Sequence, residues 1–525
     1  MRLTFLRAAC LPLFLALAGC ATPKPDLDNP TETEVAANLR TAFDFLLGRY
    51  YEELQLETVI VPGLAKLRAL EPDLTVTVDR VSSIEVYVEL RLRNELVHRV
   101  AKPYAGDNAS AVVRNAIKAL RTASPRIAAA SWVETTDLVL AGVAETLDGD
   151  AVYLSRSELK AVGLVVDDET EDDDGVKKPR EQKAAAGIRL RYSDGMARIA
   201  QVRRNSAAAQ AGLRTGDIVE TLQGRPAETY SRLQLDMEFV GDPGSSLTLT
   251  VRDADGSEPH EIDLPRETVD YDAPVALWRN GVLYLQITRL WGDTVNVVRR
   301  LLRGEQEKGA ESAAGVVLDL RGTAVANAFP AAMLLDVFYE GDERYFITSS
   351  GNWRGDYAIR PSETPQDTAI RLVVLANGET AAAAEGMVHA LQDLGRAVVV
   401  GSATSGQGYL QSGAFLLNGG VLAFPYARLV TPANFAIEKR GVLPMVCSGN
   451  LAEGAAGIAQ LKMGQGIIAK ATRNREIAAD NDAAIRAHRD LCPPRSDQDD
   501  RDLELAEAIL ADPALYNQIL AAGGK

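Results

Sequence analysis

The sequence predicts a mixed α/β protein of several domains, with a helical domain first, a small β-rich domain second and a layered α/β core third. Its 525 residues indicate about three domains. Apolar residues recur at helical spacing from residue 34 onward, and short apolar strands alternate with helices between residues 270 and 450. A run of charged residues without apolar periodicity lies between the two regions. We therefore expect the domains in that order along the chain.

The charge balance and the histidine content argue against two broad classes of function. The net charge of −16 argues against non-specific nucleic-acid binding, which needs a basic surface. The four histidines are scattered, and the sequence has no HExxH or CxxC spacing of the kind that binds metal. We therefore expect no nucleic acid, no metal and no cofactor, and the composition indicates no particular oligomeric state.

Residues 1–20 have the features of a processing signal rather than of a folded element. Arg2 and Arg7 precede an apolar stretch at residues 8–18, and LAGC, residues 17–20, follows it. That ending resembles a bacterial lipoprotein box, which implies cleavage before Cys20 and attachment of lipid to its thiol. Ala21 after the cysteine favours the outer membrane, so we expect a cell-envelope lipoprotein that faces the periplasm. An ordinary signal peptide is the alternative.

The next part of the chain predicts a tether, a domain and a linker. Residues 21–33 are rich in Pro and Asp and predict a tether. Residues 34–164 predict a mostly helical N-terminal domain, interrupted by a strand pair in LTVTVDRVSSIEVYVELRL. Residues 165–186 are an acidic linker, which we expect to be solvated. No later apolar run is long enough to span a bilayer.

Two cysteines remain for the mature protein once Cys10 leaves with the signal and Cys20 carries lipid. In the oxidising periplasm, Cys447 and Cys492 predict a disulfide. Two separate thiols are the alternative. Residues 451–525 predict a helical C-terminal tail.

Residues 187–255 carry the motif AGLRTGD, in which a helix end and a glycine turn precede a strand. This segment resembles a PDZ domain. Such domains bind C-terminal peptides by adding a strand, with the terminal carboxylate held on backbone N–H groups. The resemblance places peptide binding at Gly187, Ile188, Arg189 and Leu190, with Arg189 in place of a second glycine. A purely structural PDZ domain is the alternative.

The most informative stretch is Asn377–Gln411, which reads NGETAAAAEGMVHALQDLGRAVVVGSATSGQGYLQ. It resembles the active-site segment of the carboxy-terminal processing (tail-specific) serine proteases, which reads SASASE, a helix, a strand and FGKG. Aligned on the glutamate, the nucleophile position holds Ala382 and the lysine-base position holds Gln407, while Gln411 matches a third catalytic residue of some relatives. The resemblance implies a crotonase-like ββα-spiral protease core over residues 270–450.

The same resemblance implies that the oxyanion hole is degraded. The family's DLR-NNPGG segment corresponds to DLRGTAVA here, so the glycine positions hold Val325 and Ala326, and Ala383 follows the nucleophile position. An alanine has no nucleophilic atom, and a glutamine side chain cannot accept a proton near neutral pH. Loss of one oxyanion donor alone costs about 100- to 1000-fold in rate.

These residues favour a pseudoprotease. It would be a lipid-anchored envelope protein that binds peptide C-termini or a partner protein through its PDZ domain and the old substrate groove. One alternative is an active serine-type endopeptidase whose nucleophile has moved to Thr380, Ser402 or Ser405, with His389 as the base. A structural subunit of an envelope assembly is another alternative.

Overall fold

The structure is a computed structural model, and it describes most of the chain from residue 30 onward. The described residues are 27, 30–82, 85–101, 106–147, 151–161, 184–193, 196–203, 206–230, 238–254, 256–267, 274–279, 281–290, 293–303, 315–326, 328–340, 346–349, 357–359, 370–431, 436–478, 480–495 and 500–523. The predicted signal, Cys20, almost all of the tether before residue 30 and most of the acidic linker lie outside them. Within these ranges, no helix has both the length and the apolar composition needed to cross a bilayer.

The N-terminal domain packs five helices and a three-stranded antiparallel sheet around one apolar core. Its elements are α1 (Glu32–Arg49), α2 (Leu56–Ala65), β1 (Leu74–Arg80), β2 (Val86–Leu92), β3 (Glu95–Ala101), α3 (Gly106–Ala123), α4 (Pro125–Ala129) and α5 (Trp132–Ala144). A capping box starts α1, because the Thr31 hydroxyl accepts from the N–H of Glu34 and the Glu34 carboxylate accepts from the N–H of Thr31. The sequence predicted two strands here and missed β3. The side chains of β3 are half-buried or exposed, so the strand lacks the alternation of apolar and polar residues that marks a strand with one buried face.

A short strand, β4 (Val152–Leu154), and a helix, α6 (Arg156–Ala161), follow. The β-rich domain then comprises β5 (Ala184–Ala185), β6 (Ile188–Ser193), β7 (Met196–Val202), α7 (Ala207–Gln210), β8 (Ile218–Leu222), β9 (Arg225–Pro226), β10 (Val240–Gly241), β11 (Ser246–Arg252) and β12 (His260–Pro265).

The main sheet of the β-rich domain has the order β12-β11-β8-β7-β6, so β6 lies at an edge. It continues past the predicted boundary at residue 255, since β12 pairs with β11. Strand β12 has one fully buried side chain, Leu264, and therefore lacks a strong apolar alternation. The predicted second helix of this domain falls mostly on residues 231–237, which lie outside the described part of the chain.

The layered core confirms the predicted alternation of strands and helices. Its elements are β13 (Val275–Arg279), β14 (Val282–Gln286), β15 (Arg289–Leu290), α8 (Thr294–Leu302), β16 (Gly315–Asp319), β17 (Val325–Ala326), α9 (Ala328–Phe338), β18 (Phe346–Ser349), β19 (Tyr357–Ile359), β20 (Arg371–Ala376), α10 (Ala383–Asp393), β21 (Val398–Gly401), β22 (Tyr409–Phe415), β23 (Val421–Val430) and β24 (Val446–Cys447).

A six-stranded sheet of order β13-β14-β16-β20-β21-β24 forms the centre of this core, and its pairs are parallel from β14 to β24. Alternate residues of its strands face opposite sides: Val316 and Leu318 pack with α8, α9 and α10, whereas Val317 faces the C-terminal tail. The carboxyl ends of β16, β20 and β21 lead into neighbouring loops. A second, antiparallel sheet has the order β19-β18-β23-β22, and β4 pairs with β23.

The C-terminal tail is helical, as the sequence predicted, and it covers the second face of the central sheet. Its helices are α11 (Gly454–Lys462), α12 (Lys470–Arg473), α13 (Asp482–Arg489), α14 (Asp500–Ala511) and α15 (Pro513–Gly523). Ile509 and Ile519 are fully buried in the cluster that contains Val317. Cys447 and Cys492 form a disulfide with a Cα–Cα distance of 5.7 Å.

Candidate functional site

The nucleophile position, Ala382, lies at the N-terminus of α10, where a tight turn follows β20. Its backbone has φ 52° and ψ −136°, a conformation that side chains rarely adopt. The turn is fixed on the N-terminal side of this residue, because the N–H of Ala381 donates to Thr323 O at 3.0 Å and the Thr380 hydroxyl donates to Leu320 O at 2.9 Å. The sharp geometry that would present a nucleophile is therefore present, and a methyl group occupies it.

The base position, Gln407, lies in a turn that a single buried carboxylate holds. Glu385 accepts the Thr404 hydroxyl at 2.6 Å, the N–H of Gly406 at 2.6 Å and the N–H of Gly408 at 3.1 Å. Burial raises the pKa of the Glu385 carboxyl, while these hydrogen bonds act to lower it. The turn therefore presents Gln407, half-buried, from a fixed backbone.

The oxyanion segment uses its backbone for internal contacts. The N–H of Gly322 donates to Asn377 Oδ1 at 3.0 Å. Val325 and Ala326 form β17, which pairs in parallel with β15. Ala383 is fully buried in the first turn of α10. The glycine N–H of this loop, at Gly322, is therefore already engaged.

Gln411 lies two residues into β22, opposite Pro425, beside a register shift in the β22–β23 pair. Its side chain is exposed. The structure therefore places this third position on a strand that leaves the Gln407 turn, at the surface of the antiparallel sheet.

The candidate relocated nucleophiles are held in structural hydrogen bonds. The Thr380 hydroxyl is buried and also accepts from the N–H of Asn377. Ser402 is buried, and its hydroxyl accepts from the N–H of Arg495 at 3.0 Å. Ser405 is half-buried, and its hydroxyl accepts from the N–H of Gln407 at 3.0 Å.

The candidate base, His389, belongs to a different part of the core. It lines a cavity with Gln392, Arg440 and Arg473, and none of the three candidate nucleophiles lines that cavity. Burial lowers the pKa of His389, and the charges of Arg440 and Arg473 lower it further against Asp393. The structure thus does not bring this histidine into one cavity with any of the three candidate nucleophiles.

The predicted peptide loop contacts the segment that aligns with the family's oxyanion loop, which the sequence did not indicate. Gly187 has φ 87°, and a Cβ there would lie 2.3 Å from Ser206 Cβ, so glycine is required. Arg189, in edge strand β6, donates from Nη2 to Gly322 O at 2.7 Å and lies 3.9 Å from the Glu379 carboxylate. The arginine that replaces a family glycine therefore joins the β-rich domain to the oxyanion segment. Ile188 and Leu190 flank it in the same strand.

Residues of the C-terminal tail hydrogen-bond to the loops that contain Ala382 and Gln407, which we call the dyad loops. No sequence motif marks these tail residues. The N–H of Gly378 donates to Arg495 O at 2.6 Å, and the N–H of Ala403 donates to Cys492 O at 3.2 Å. Arg489 donates from Nη2 to Thr404 O at 3.0 Å. Long-range pairing of this kind leaves no local pattern in the sequence, so sequence analysis could not have found it.

The described residues contain no cluster of His, Cys, Asp or Glu that could hold a metal ion. Neither Ala382 nor Gln407 can form a covalent intermediate or transfer a proton at neutral pH.

Comparison with known proteins agrees with both resemblances. Residues 281–447 match the peptidase family S41, and residues 184–263 match the PDZ domain. The chain is 28% identical over 248 residues to the carboxyl-terminal-processing protease of Synechocystis, covering 46% of this chain and 56% of that one. It is 31% identical over 254 residues to carboxyl-terminal-processing peptidase 2 of Arabidopsis thaliana chloroplasts, covering 45% and 47%.

The chain thus spans about half the length of the curated relatives that it matches. Among solved structures, it is similar to a photosystem II D1 C-terminal processing protease, with 21% identity and a TM-score of 0.46. That match covers 59% of this chain and 81% of the other.

Proposed function

We propose that this chain, which belongs to the carboxy-terminal processing (S41) peptidase family and carries its PDZ domain, binds peptide C-termini without cutting them. One observation carries the proposal. The two turns that would hold a serine and a lysine are built in full around Ala382 and Gln407, which can perform neither role. A binding surface can persist on such a scaffold when the reaction does not.

Edge strand β6 supports peptide binding by the PDZ domain. One side of β6 pairs with β7, and the other side is the edge of the sheet, where a peptide could pair as one more strand. Gly187 keeps the tight backbone before the strand. The carboxylate of the peptide would bind the N–H groups that begin β6, at Ile188 and Arg189.

We further propose that Cys20 carries lipid and holds the protein at the periplasmic side of the outer membrane. The LAGC sequence and the Pro- and Asp-rich stretch after it support this proposal. Metabolic labelling with a palmitate analogue tests it, since labelling that persists in a Cys20→Ala variant would exclude lipid attachment at this thiol.

Two measurements on the same preparation test the proposal of binding without cleavage. Fluorescence anisotropy should show binding of an apolar-tailed peptide with a free C-terminus and at least about tenfold weaker binding of its C-terminal amide. Mass spectrometry of the same mixture should show the peptide intact. Turnover that follows the protein through repurification would overturn the proposal, and equal binding of acid and amide would exclude carboxylate capture.

A matched pair of variants locates the binding site. Ile188→Glu places a negative charge beside the proposed carboxylate position and should abolish binding. Ile262→Glu places the same charge on strand β12, at the opposite edge of the sheet, and should leave binding unchanged.

The alternatives give different results in the same experiments. A relocated nucleophile predicts labelling by a fluorophosphonate that is lost in Ser405→Ala. A structural subunit predicts a constant partner whose capture does not depend on free C-termini.

A further inference from the structure

Three adjoining strands carry an apolar face on the solvent side of the antiparallel sheet. In the register, Ala423 of β23 lies opposite Gly413 of β22 and Val152 of β4. Directly paired residues point to the same side of a sheet, and so do residues two apart along a strand. The outer face therefore consists of Val152, Leu154, Gly413, Phe415, Val421 and Ala423, with the exposed Gln411 at its far end. We call the six residues, together with Leu417 at the tip of the β22–β23 hairpin, the hairpin face.

The hairpin face is unusual because the opposite side of the same sheet is already buried. Leu422 and Phe424 belong to the apolar core of the N-terminal domain. A sheet with one face in the core ordinarily presents polar residues on the other. Here Phe415 is 76% exposed and Leu417 is 55% exposed. A contiguous exposed apolar surface of this kind indicates a contact with another phase or partner.

The place of the hairpin face in the fold points to its occupant. Leu417 lines a broad concavity with Thr33, Ala36 and Ala37 of α1, and the N–H of Asn418 donates to Asn38 Oδ1 at 3.0 Å. The hairpin tip therefore lies beside the first turns of α1, where the folded body begins. Cys20 precedes Glu32, the first residue of α1, by 12 residues (32 − 20). An extended chain of that length reaches at most about 40 Å.

The margin of the concavity has the charge that suits a bilayer with anionic lipids. Arg40 and Arg114 line it beside Leu417, as does Glu32, which forms an ion pair with Lys118 at 3.0 Å. The lining thus carries two positive side chains and one negative one, on a protein whose net charge is −16. Basic side chains around exposed apolar ones are typical of surfaces that meet lipid headgroups.

We propose that the hairpin face is a membrane contact, in which Phe415 and Leu417 enter the interface of the bilayer that holds the lipid of Cys20. The contact rests on the proposed lipid anchor and goes beyond it. A lipid on a tether fixes distance alone, whereas a second point of contact fixes which side of the body faces the membrane. Arg40 and Arg114 then lie at the level of the phosphate groups.

Tryptophan quenching in proteoliposomes tests the contact. The full lipidated chain carrying Phe415→Trp is reconstituted into phosphatidylethanolamine vesicles with a minority of phosphatidylglycerol, with or without brominated acyl chains. Subtracting the emission of the wild-type protein removes the four native tryptophans. Because the side chain would lie at the boundary of headgroups and acyl chains, its emission should fall about twofold in brominated vesicles.

The control variant Met463→Trp carries a side chain of similar exposure, 70%, outside the hairpin face, and its emission should not change. Equal emission of Phe415→Trp in both kinds of vesicle would overturn the proposal. Failure of the wild-type chain to float with vesicles would instead reject the lipid anchor, and the contact with it.

Discussion

The methyl group of Ala382 stands on a backbone that glycine would adopt more readily. Its φ is 52° and its ψ is −136°, and the hydrogen bonds of Ala381 and Thr380 on its N-terminal side hold the turn in place. Such a conformation costs about 1–3 kcal/mol for a residue with a Cβ. A strained turn usually has a functional reason, and here the strain persists beside a side chain that cannot react.

Ala382→Gly is therefore expected to stabilise the core, by about 0.5–1 kcal/mol once the greater chain entropy of glycine is subtracted. Ala384→Gly, two residues further along α10, is the matched control and should destabilise by about 1 kcal/mol. The stability of both variants is measured by urea unfolding, monitored through the unfolding transition of the layered core. Destabilisation by Ala382→Gly would show that the turn is unstrained.

Introducing a serine and a lysine at the two dyad positions should not produce full proteolytic activity. Ala382→Ser with Gln407→Lys supplies both reactive groups, but the N–H of Gly322 remains engaged by Asn377 and Val325–Ala326 remain in β17. Activity on apolar-tailed substrates should stay about 100-fold or more below that of a working relative. Robust proteolysis by the double variant would contradict this view of the oxyanion segment.

At the scale of elements, edge strand β6 and the loop after β16 are joined through one side chain. Arg189 reaches from the β-rich domain to Gly322 O, beside Glu379 in the nucleophile turn. The contact is a hydrogen bond from a charged guanidinium to a neutral carbonyl oxygen, so its loss leaves that carbonyl without this partner. The hydrogen bond should restrain local motion more than it stabilises the fold.

Arg189→Gln should therefore speed amide hydrogen exchange at residues 187–190 and 322–323 by about fivefold, without lowering the melting temperature of either domain. Arg198→Gln is the control, because Arg198 donates to Gly216 O within the β-rich domain and does not reach the core. Mass spectrometry of the exchanged peptides measures the effect. Unchanged exchange at residues 322–323 would show that the contact restrains nothing.

The disulfide fixes the tail segment that supports the dyad loops. It closes a loop of 45 residues, for which the chain-entropy relation gives about 4 kcal/mol. The double variant Cys447→Ala, Cys492→Ala should lose about that much stability in urea unfolding of the core. A loss below about 1 kcal/mol would show that the packing of α14 and α15 holds the tail without the crosslink.

At the scale of the whole molecule, buried histidines give the fold a dependence on acid. Burial lowers the pKa of His488 to about 4, with Arg440, Arg475 and Arg489 adding to the effect, and burial lowers the pKa of His389 too. The unfolded chain has histidine pKa values near 6.5. Between the two values the unfolded state binds more protons, so stability is complete above about pH 6.5 and falls as the pH drops toward 4.

His488→Gln should remove part of this loss. Relative to wild type at pH 7.5, the variant should gain about 1 kcal/mol at pH 5, a figure that allows for solvent screening. Asp137, whose pKa burial raises to about 6, acts in the opposite direction but contributes equally to both proteins. Thermal unfolding at the two pH values measures the difference, and parallel curves would contradict the assignment.

The sequence predicted the fold class, and it placed Ala382 and Gln407 in the two segments that resemble a protease active site, because both inferences rest on local patterns. Strand and helix periods mark β16, β20 and α10, and motif spacing places Ala382 and Gln407. The contact of Arg189 with Gly322 spans 133 residues, and the hairpin face depends on register between three strands. Neither leaves a local signature, so only the folded arrangement reveals them.

The support of the dyad loops by the tail has a consequence for the order in which the molecule is made. Thr404 leaves the ribosome 85 residues before Arg489, which later holds its carbonyl oxygen. During that interval the turns around Ala382 and Gln407 lack the tail residues to which they later hydrogen-bond, and Cys447 lacks its disulfide partner, Cys492. Domains form as units from the N-terminus, so strand β6 can be in place early, whereas the loops that hold Ala382 and Gln407 can be completed only after residues 489–495 have been added.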